Sequence, residues 1–155
     1  ASREVILNGA PMPHSPRIFD KQLYMLLSAT GEVVKVNVNN GSYDVVASLS
    51  GFVRGMDKIG DYLFVGLSKL RKNSSTFKDL PIAEKALKSG ISVVHLPTGA
   101  VVAELHYETS VDEIYDVQIL PGLKRPGILN TIKDVHKKSL SIPGRTFWAP
   151  EDGKK

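Results

Sequence analysis

Residues 51–68 read GFVRGMDKIGDYLFVGLS, and residues 14–28, HSPRIFDKQLYMLLS, repeat their pattern 40 positions earlier. At this offset the apolar runs coincide, so that Ser68 aligns with Ser28. Each copy consists of a short lead-in segment, a turn and a compact apolar strand of the buried kind. A unit that recurs in this way is typical of repeat proteins, in which each unit buries its apolar face against a neighbour.

The strands that follow each copy repeat as well. Residues 32–38, EVVKVNV, alternate apolar and polar side chains, which is the pattern of a half-buried strand. The returning strand, residues 43–49, follows an Asn-Gly dipeptide that predicts a tight type I′ hairpin. Residues 91–96 and 100–106 match this pair at an offset of 58, which places an insertion of 18 residues in the second unit.

The segment that contains the insertion, residues 69–90, has a basic first half and a helix-like second half. Asp79 can cap a helix, Pro81 is tolerated in a first helical turn, and a glycine can end the helix. We therefore predict a short amphipathic helix over residues 81–89. Its apolar face would contain Ile82, Ala83, Ala86 and Leu87. The basic stretch, residues 69–78, is predicted to be a mobile surface loop, with the alternative that it holds an anion.

Tandem four-stranded antiparallel meanders of about 40 residues are the blades of a β-propeller. The sequence therefore predicts an all-β protein, a partial β-propeller of about two and a half blades, with a β-sandwich of the same strands as the alternative. The predicted units are blade 1 (residues 14–49), blade 2 (51–107, including the insertion), a partial blade 3 (111–130) and an unmatched strand (3–8). Residues 1–150 are predicted to form a single domain, followed by a frayed tail, residues 151–155.

The composition excludes several kinds of site. The chain of 155 residues contains no cysteine, which removes disulfides, thiolate zinc sites and cysteine nucleophiles. No apolar run approaches the roughly 20 residues that cross a bilayer, and no signal-peptide pattern opens the chain, so we expect a cytoplasmic protein without membrane contact. The net charge of +4 arises from a basic C-terminal part without interleaved aromatic residues, which argues for a solvated tail and against nucleic-acid binding.

A binding site is predicted from the repeat register. An offset of 61 continues the pattern into a third unit, so His14, Arg54 and Tyr115 take equivalent positions at the start of three successive blades, near the channel of a propeller. With flanking polar residues they form the predicted ligand-binding set: His14, Arg17, Arg54, Glu113, Tyr115 and Asp116. An arginine in this set suits a carboxylate or a phosphate, through bidentate charge-assisted hydrogen bonds. The alternative is that these side chains only bond strand ends and loop carbonyls between blades.

No catalytic group, metal site or cofactor is predicted. His14, Glu113 and Asp116 offer nitrogen and oxygen donors, but they lack the spacing of a metal-binding motif. Ser15 beside His14 is no catalytic pair either, because neighbours on a strand point to opposite faces.

Five strings in this order carry a family resemblance: MPHSPR (residues 12–17), GFVRGM (51–56), DYLFVGLSK (61–69), LPIAE (80–84) and EIYDVQILPGLKRP (113–126). Over residues 11–130 the chain resembles the C-terminal half of the bacterial DUF4915-like proteins, some of which are associated with tetratricopeptide repeats. The resemblance implies a propeller-like array of sheets and brings no established activity or substrate. Because family members are longer, it also implies that this chain lacks their N-terminal half.

The function expected from this pattern is that of a non-enzymatic binding or assembly module. An incomplete array of blades leaves strand edges exposed, so we expect the chain to self-associate, as a two-fold homodimer. Its channel mouth would present a polar pocket to a small anionic ligand or a partner. The alternative is a propeller-type enzyme that acts on a sugar or a lactone with a metal or an acid–base pair, an alternative supported by fold analogy alone.

Overall fold

The structure of the protein is a computed structural model that describes residues 3–70, 77, 79–124, 132, 137–142 and 145–148. Its contacts divide the chain into two compact units, Ala1–Ile119 and Leu120–Lys155. The first unit holds two four-stranded antiparallel sheets. The second holds a two-stranded antiparallel hairpin. That residues 1–150 form a single domain stays a prediction.

Both four-stranded sheets are meanders, because strands that are consecutive in the chain are also neighbours in the sheet. The first sheet contains β1 (Pro13–Phe19), β2 (Gln22–Leu27), β3 (Glu32–Val36) and β4 (Tyr43–Ser48). The second contains β5 (Phe52–Ile59), β6 (Tyr62–Ser68), β7 (Ser89–His95) and β8 (Ala100–Tyr107). The hairpin consists of β9 (Ser139–Ile142) and β10 (Arg145–Trp148). The predicted all-β class and the two repeated meanders are therefore confirmed, and the propeller stays a prediction.

The two sheets share a distortion as well as a strand order. The pairing of β1 with β2 shifts around Ser15, and that of β5 with β6 shifts around Gly55. Both residues have a left-handed backbone, with φ of 50° and 71°, and they lie 40 positions apart. Such a bulge bends its strand and redirects the neighbouring side chains. The bulge therefore occurs at equivalent repeat positions in the two sheets.

The main hydrophobic core lies between the two sheets. Alternation along each strand sends one set of apolar side chains to this face, and ten of them are buried in one cluster. The first meander contributes Leu26, Val33, Ala47 and Leu49, and the second contributes Val53, Met56, Leu63, Val65, Leu67 and Val94. Burial of this set holds the two meanders together.

The opposite face of the first sheet is covered by the N-terminal segment. Leu27, Val34 and Val36 are buried there, and Leu7 and Ala10 pack on them. Residues 3–8 form no strand, so the prediction of an unmatched strand was wrong. Within this segment Leu7 packs on the sheet face, whereas Val5 and Ile6 are exposed.

The predicted helix over residues 81–89 is wrong: residues 81–85 form turns, and the described residues contain no α-helix. Ala86 N–H donates to the carbonyl of Ile82 at 2.9 Å, which closes a single helical turn. The next strand begins at Ser89 and takes up the last residue of the predicted helix. The remaining segment is too short for a helix to propagate, because the first turn is costly to form.

The turns nevertheless dock as an amphipathic segment. Ile82 N–H donates to the carbonyl of Ala29 at 3.1 Å, and Ile82 and Ala86 are buried against Phe52. Leu87, another member of the predicted apolar face, points outward instead and is 59% exposed. Most of the basic stretch, residues 71–76 and 78, lies outside the described residues, as does the predicted tail.

The third repeat unit, predicted over residues 111–130, begins against the second sheet, but its described residues add no strand to that sheet. The carboxylate of Asp57 accepts hydrogen bonds from Ile119 N–H at 2.7 Å and from the Gln118 amide at 2.8 Å. Residues 111–124 form no strand, so the described part of the predicted partial blade 3 contains no blade strands. Residues 125–130 of the predicted partial blade 3 lie outside the described part.

One hydrogen bond recurs between successive units. The buried hydroxyl of Ser28 donates to the carbonyl of Val53 at 2.6 Å. The buried hydroxyl of Ser68 donates to the carbonyl of Ile114 at 3.1 Å and accepts from Ile114 N–H at 2.9 Å. Donors and acceptors are related by the repeat offsets, so the same bond joins the first unit to the second and the second to the third.

Candidate functional site

A cavity of about 370 Å³ opens where the two meanders and the third unit meet. Its volume lies at the lower end of the range for small-molecule sites. Among the described residues, nine from the first compact unit line it: Met12, His14, Phe52, Arg54, Ser68, Lys69, Leu70, Phe77 and Glu113.

The repeat explains why the lining residues meet. Met12 and Phe52 are related by the offset of 40, and so are His14 and Arg54. Met12 and His14 lie just before and near the start of β1, and Phe52 and Arg54 lie at and near the start of β5. Each meander therefore brings one apolar and one basic or polar side chain to the same cavity.

His14 is held by its Nδ1 atom. This nitrogen lies 2.8 Å from Ser28 Oγ and 3.1 Å from the carbonyl of Met12. The Ser28 hydroxyl already donates its proton to Val53, so its oxygen accepts from His14, and Nδ1 carries a hydrogen. The imidazole ring also meets the ring of Phe52 edge-on, at 5.8 Å between centroids. Nε2 is therefore the nitrogen that His14 offers to a ligand, as an acceptor when the ring is neutral.

Arg54 is supported on an aromatic face. Its Cζ atom lies 4.3 Å from the centroid of the Tyr115 ring, a cation–π contact that fixes the plane of the guanidinium. The Tyr115 hydroxyl donates to Glu113 Oε2 at 2.6 Å, which orients the tyrosine. Within the described part of the chain, no ion pair or side-chain hydrogen bond involves the Arg54 guanidinium.

The second basic residue of the lining has its own counter-ion. Lys69 Nζ lies 2.9 Å from Asp112 Oδ1 in a partly exposed ion pair. Lys69 N–H also donates to the carbonyl of Asp112 at 2.9 Å. Lys69 therefore joins the third unit to the second, and its charge is already compensated.

Two residues of the predicted set lie elsewhere. Arg17 Nη2 and Asp116 Oδ2 form an exposed ion pair at 3.3 Å, and neither residue lines the cavity. This ion pair joins the first unit to the third.

The remaining four predicted residues are brought together. His14, Arg54 and Glu113 line the cavity, and Tyr115 contacts two of them from behind. The sequence analysis missed the apolar wall: Met12, Phe52, Leu70 and Phe77. Applying the same offset two positions earlier would have paired Met12 with Phe52. No repeat signal marks Phe77, since it lies in the insertion.

An exposed ion pair lies away from the cavity and also links the two sheets. Lys58 Nζ is 2.6 Å from Asp20 Oδ2, and this hydrogen bond raises the pKa of Lys58 above its ordinary value. The pair therefore favours the folded state at neutral pH, and this contribution is lost as the pH rises through the pKa of Lys58. Because the pair is solvent-screened, its contribution is small.

Among the described residues, no group of three histidine, aspartate or glutamate side chains is arranged to hold a metal ion. The same part of the chain has no helix with the length and apolar character needed to span a bilayer.

Fold and site together define a class of all-β proteins, built of tandem antiparallel meanders with a mixed aromatic and cationic cavity between units. Residues 1–129 match the family model described as "Domain of unknown function (DUF4915)", and the chain belongs to this family. The DUF4915-like family assignment drawn from the five strings is thereby confirmed. The match to the C-terminal half of a bacterial family and the association with tetratricopeptide repeats stay predictions. No curated protein matches the chain.

Proposed function

We propose that the protein is a binding module whose cavity takes a small anionic ligand. The observation that carries this proposal is the Arg54 guanidinium, which lies at the cavity wall, is stacked on Tyr115 and has no carboxylate partner among the described residues. A guanidinium presents parallel N–H donors that match two oxygens of a carboxylate or phosphate. His14 Nε2 adds a further polar contact at the same wall.

Preorganisation favours binding at this site. Arg54 is held by an aromatic ring, and His14 is held by two hydrogen bonds and the Phe52 ring. Side chains that are already fixed lose less conformational entropy when a ligand binds. The cavity is therefore suited to recognising a small anion rather than only to filling space.

Arg54→Gln is expected to weaken the binding of small anions about tenfold or more, since hydrogen bonds to a charged group contribute about 1.5–3 kcal/mol. The measurement is a calorimetric or NMR titration of the folded protein with a panel of carboxylates and inorganic phosphate. Lys35→Gln is the matched control, because it removes the same charge from an exposed position on β3. Equal anion affinity in wild type and Arg54→Gln would contradict the proposal.

The alternative function, a propeller-type enzyme acting on a sugar or a lactone, is supported by fold analogy alone. Metal analysis of the purified protein tests it. Stoichiometric calcium, zinc or manganese would favour the enzyme over the binding module.

We also propose that the protein forms a two-fold homodimer through β8. All eight residues of this last strand of the second sheet are exposed, including Val101, Val102 and Leu105 at 44–53%. An apolar strand with an unpaired edge invites pairing with another strand. In the first sheet, the corresponding strand β4 is contacted by Gly99 of the next meander, at the carbonyl of Val46. A second copy of β8, paired antiparallel, satisfies two-fold symmetry and covers the edge.

Light scattering is expected to give twice the chain mass of 16.9 kDa for the wild type at micromolar concentration. Leu105→Lys places a charge on the exposed strand and should shift the protein toward the monomer. A single species at 16.9 kDa for the wild type would contradict the dimer.

A further inference from the structure

We infer that the ligand of the cavity is a monocarboxylate with an apolar body of about the size of an aromatic ring. This inference rests on the proposed anion-binding function and names the class of anion. It follows from the charge, the shape and the apolar wall of the cavity.

The charge balance favours a single negative charge on the ligand. Lys69 is paired with Asp112 at 2.9 Å, so among the described lining residues Arg54 is the cation that remains for a ligand. A phosphate dianion would meet a single unpaired guanidinium among the described lining residues. A carboxylate matches the guanidinium in both charge and bidentate geometry.

Four of the described lining residues are apolar. Met12, Phe52, Leu70 and Phe77 line the cavity, and the rings of Phe52 and Phe77 lie 5.8 Å apart at an angle of 59°. A ligand ring that contacts either phenylalanine could add an aromatic pair to the burial of apolar surface. An apolar body bound here would remove both its own surface and that of the wall from water.

The size of the cavity also favours a ligand with an apolar body. At about 30 Å³ per molecule, the volume of about 370 Å³ would hold about twelve waters, far more than the carboxylate group alone displaces. The repeat also separates the polar lining residues from the apolar ones along the chain. His14 and Arg54 form the polar pair, and Met12 and Phe52 form the apolar pair two positions earlier in each meander. A ligand with a charged head and an apolar body therefore lies along both strand starts.

The test is a titration of the full chain with four matched probes: phenylacetate, acetate, phenylacetamide and inorganic phosphate. Phenylacetate carries both the charge and the ring, and each other probe lacks one or both. We expect phenylacetate to bind about tenfold or more tightly than each of the other three, because burial of a phenyl ring and of a charge-assisted bond each contribute at least that factor.

Two variants separate the two halves of the recognition. Arg54→Gln should remove the preference for phenylacetate over phenylacetamide. Phe77→Ala should weaken phenylacetate about fivefold or more and leave acetate unchanged, since acetate has no group that reaches the apolar wall. Lys35→Gln should bind all four probes as the wild type does. The order of the four affinities in the wild type decides the inference even where Phe77→Ala does not fold.

The outcomes distinguish this inference from the proposed function. Phosphate or acetate that binds as tightly as phenylacetate, with a loss in Arg54→Gln, would overturn the ligand class and leave anion binding intact. Phenylacetamide that binds as tightly as phenylacetate would overturn the carboxylate. Affinities that Arg54→Gln leaves unchanged for all four probes would overturn both proposals.

Discussion

Gly55→Ala is expected to destabilise the protein by about 2–5 kcal/mol, as the sum of backbone strain and overpacking. Gly55 has φ of 71°, a conformation that residues with a Cβ adopt only at a cost. A Cβ at this position would lie 2.6 Å from the carbonyl carbon of Asp116 and from the nitrogen of Val117, and nearer still to Asp116 Cα. All three atoms belong to the backbone, so no side-chain rotation relieves the clash.

Gly60→Ala is the matched control. Gly60 also has a positive φ, 54°, but a Cβ there meets no atom within 4 Å. Its substitution therefore adds only the conformational cost, about 1 kcal/mol. Urea denaturation of both variants measures the difference. Equal losses in the two variants would mean that the third unit does not pack on Gly55.

Ser28→Ala and Ser68→Ala are each expected to lower the free energy of unfolding by about 1–3 kcal/mol, the cost of leaving buried partners without a hydrogen bond. Ser28→Ala removes the hydroxyl that donates to the carbonyl of Val53 and one of the two acceptors near His14 Nδ1, which keeps only the carbonyl of Met12. Ser68→Ala leaves both the carbonyl and the N–H of Ile114 without their partner. Because the two serines occupy equivalent positions in the repeat, we expect the two variants to lose similar amounts of unfolding free energy.

Ser48→Ala is the control for both serines, because Ser48 lies exposed on β4 and should tolerate the change within about 0.5 kcal/mol. Chemical denaturation of the three variants ranks them. Should Ser28→Ala be as stable as Ser48→Ala, the hydrogen bond between the first and second units would have no energetic role.

The ion pair of Arg17 with Asp116 illustrates what the sequence pattern could not predict about the site. Both residues flank repeat positions, and the register therefore grouped them with the cavity residues. Their partners are set by side-chain direction around the bulges at Ser15 and Gly55, which no local pattern encodes. His14 and Arg54 were grouped correctly because the offset of 40 relates them directly.

The two meanders follow from the amino-acid pattern alone. Apolar side chains recur with period two within each strand and with an offset of 40 between units, and only one register buries them all. The pattern did not determine the β3–β4 connection, which spans residues 37–42 with positive φ at Gly41 alone, rather than a two-residue type I′ turn.

The tertiary structure decided the elements whose local signals were weak. The segment at residues 81–85 has helical spacing, but it forms turns because Ile82 docks on Ala29 and the strand β7 begins at Ser89. Residues 3–8 have strand propensity, but Leu7 packs on the face of the first sheet. Short segments gain little from their own hydrogen bonds, so burial against distant residues fixes their conformation.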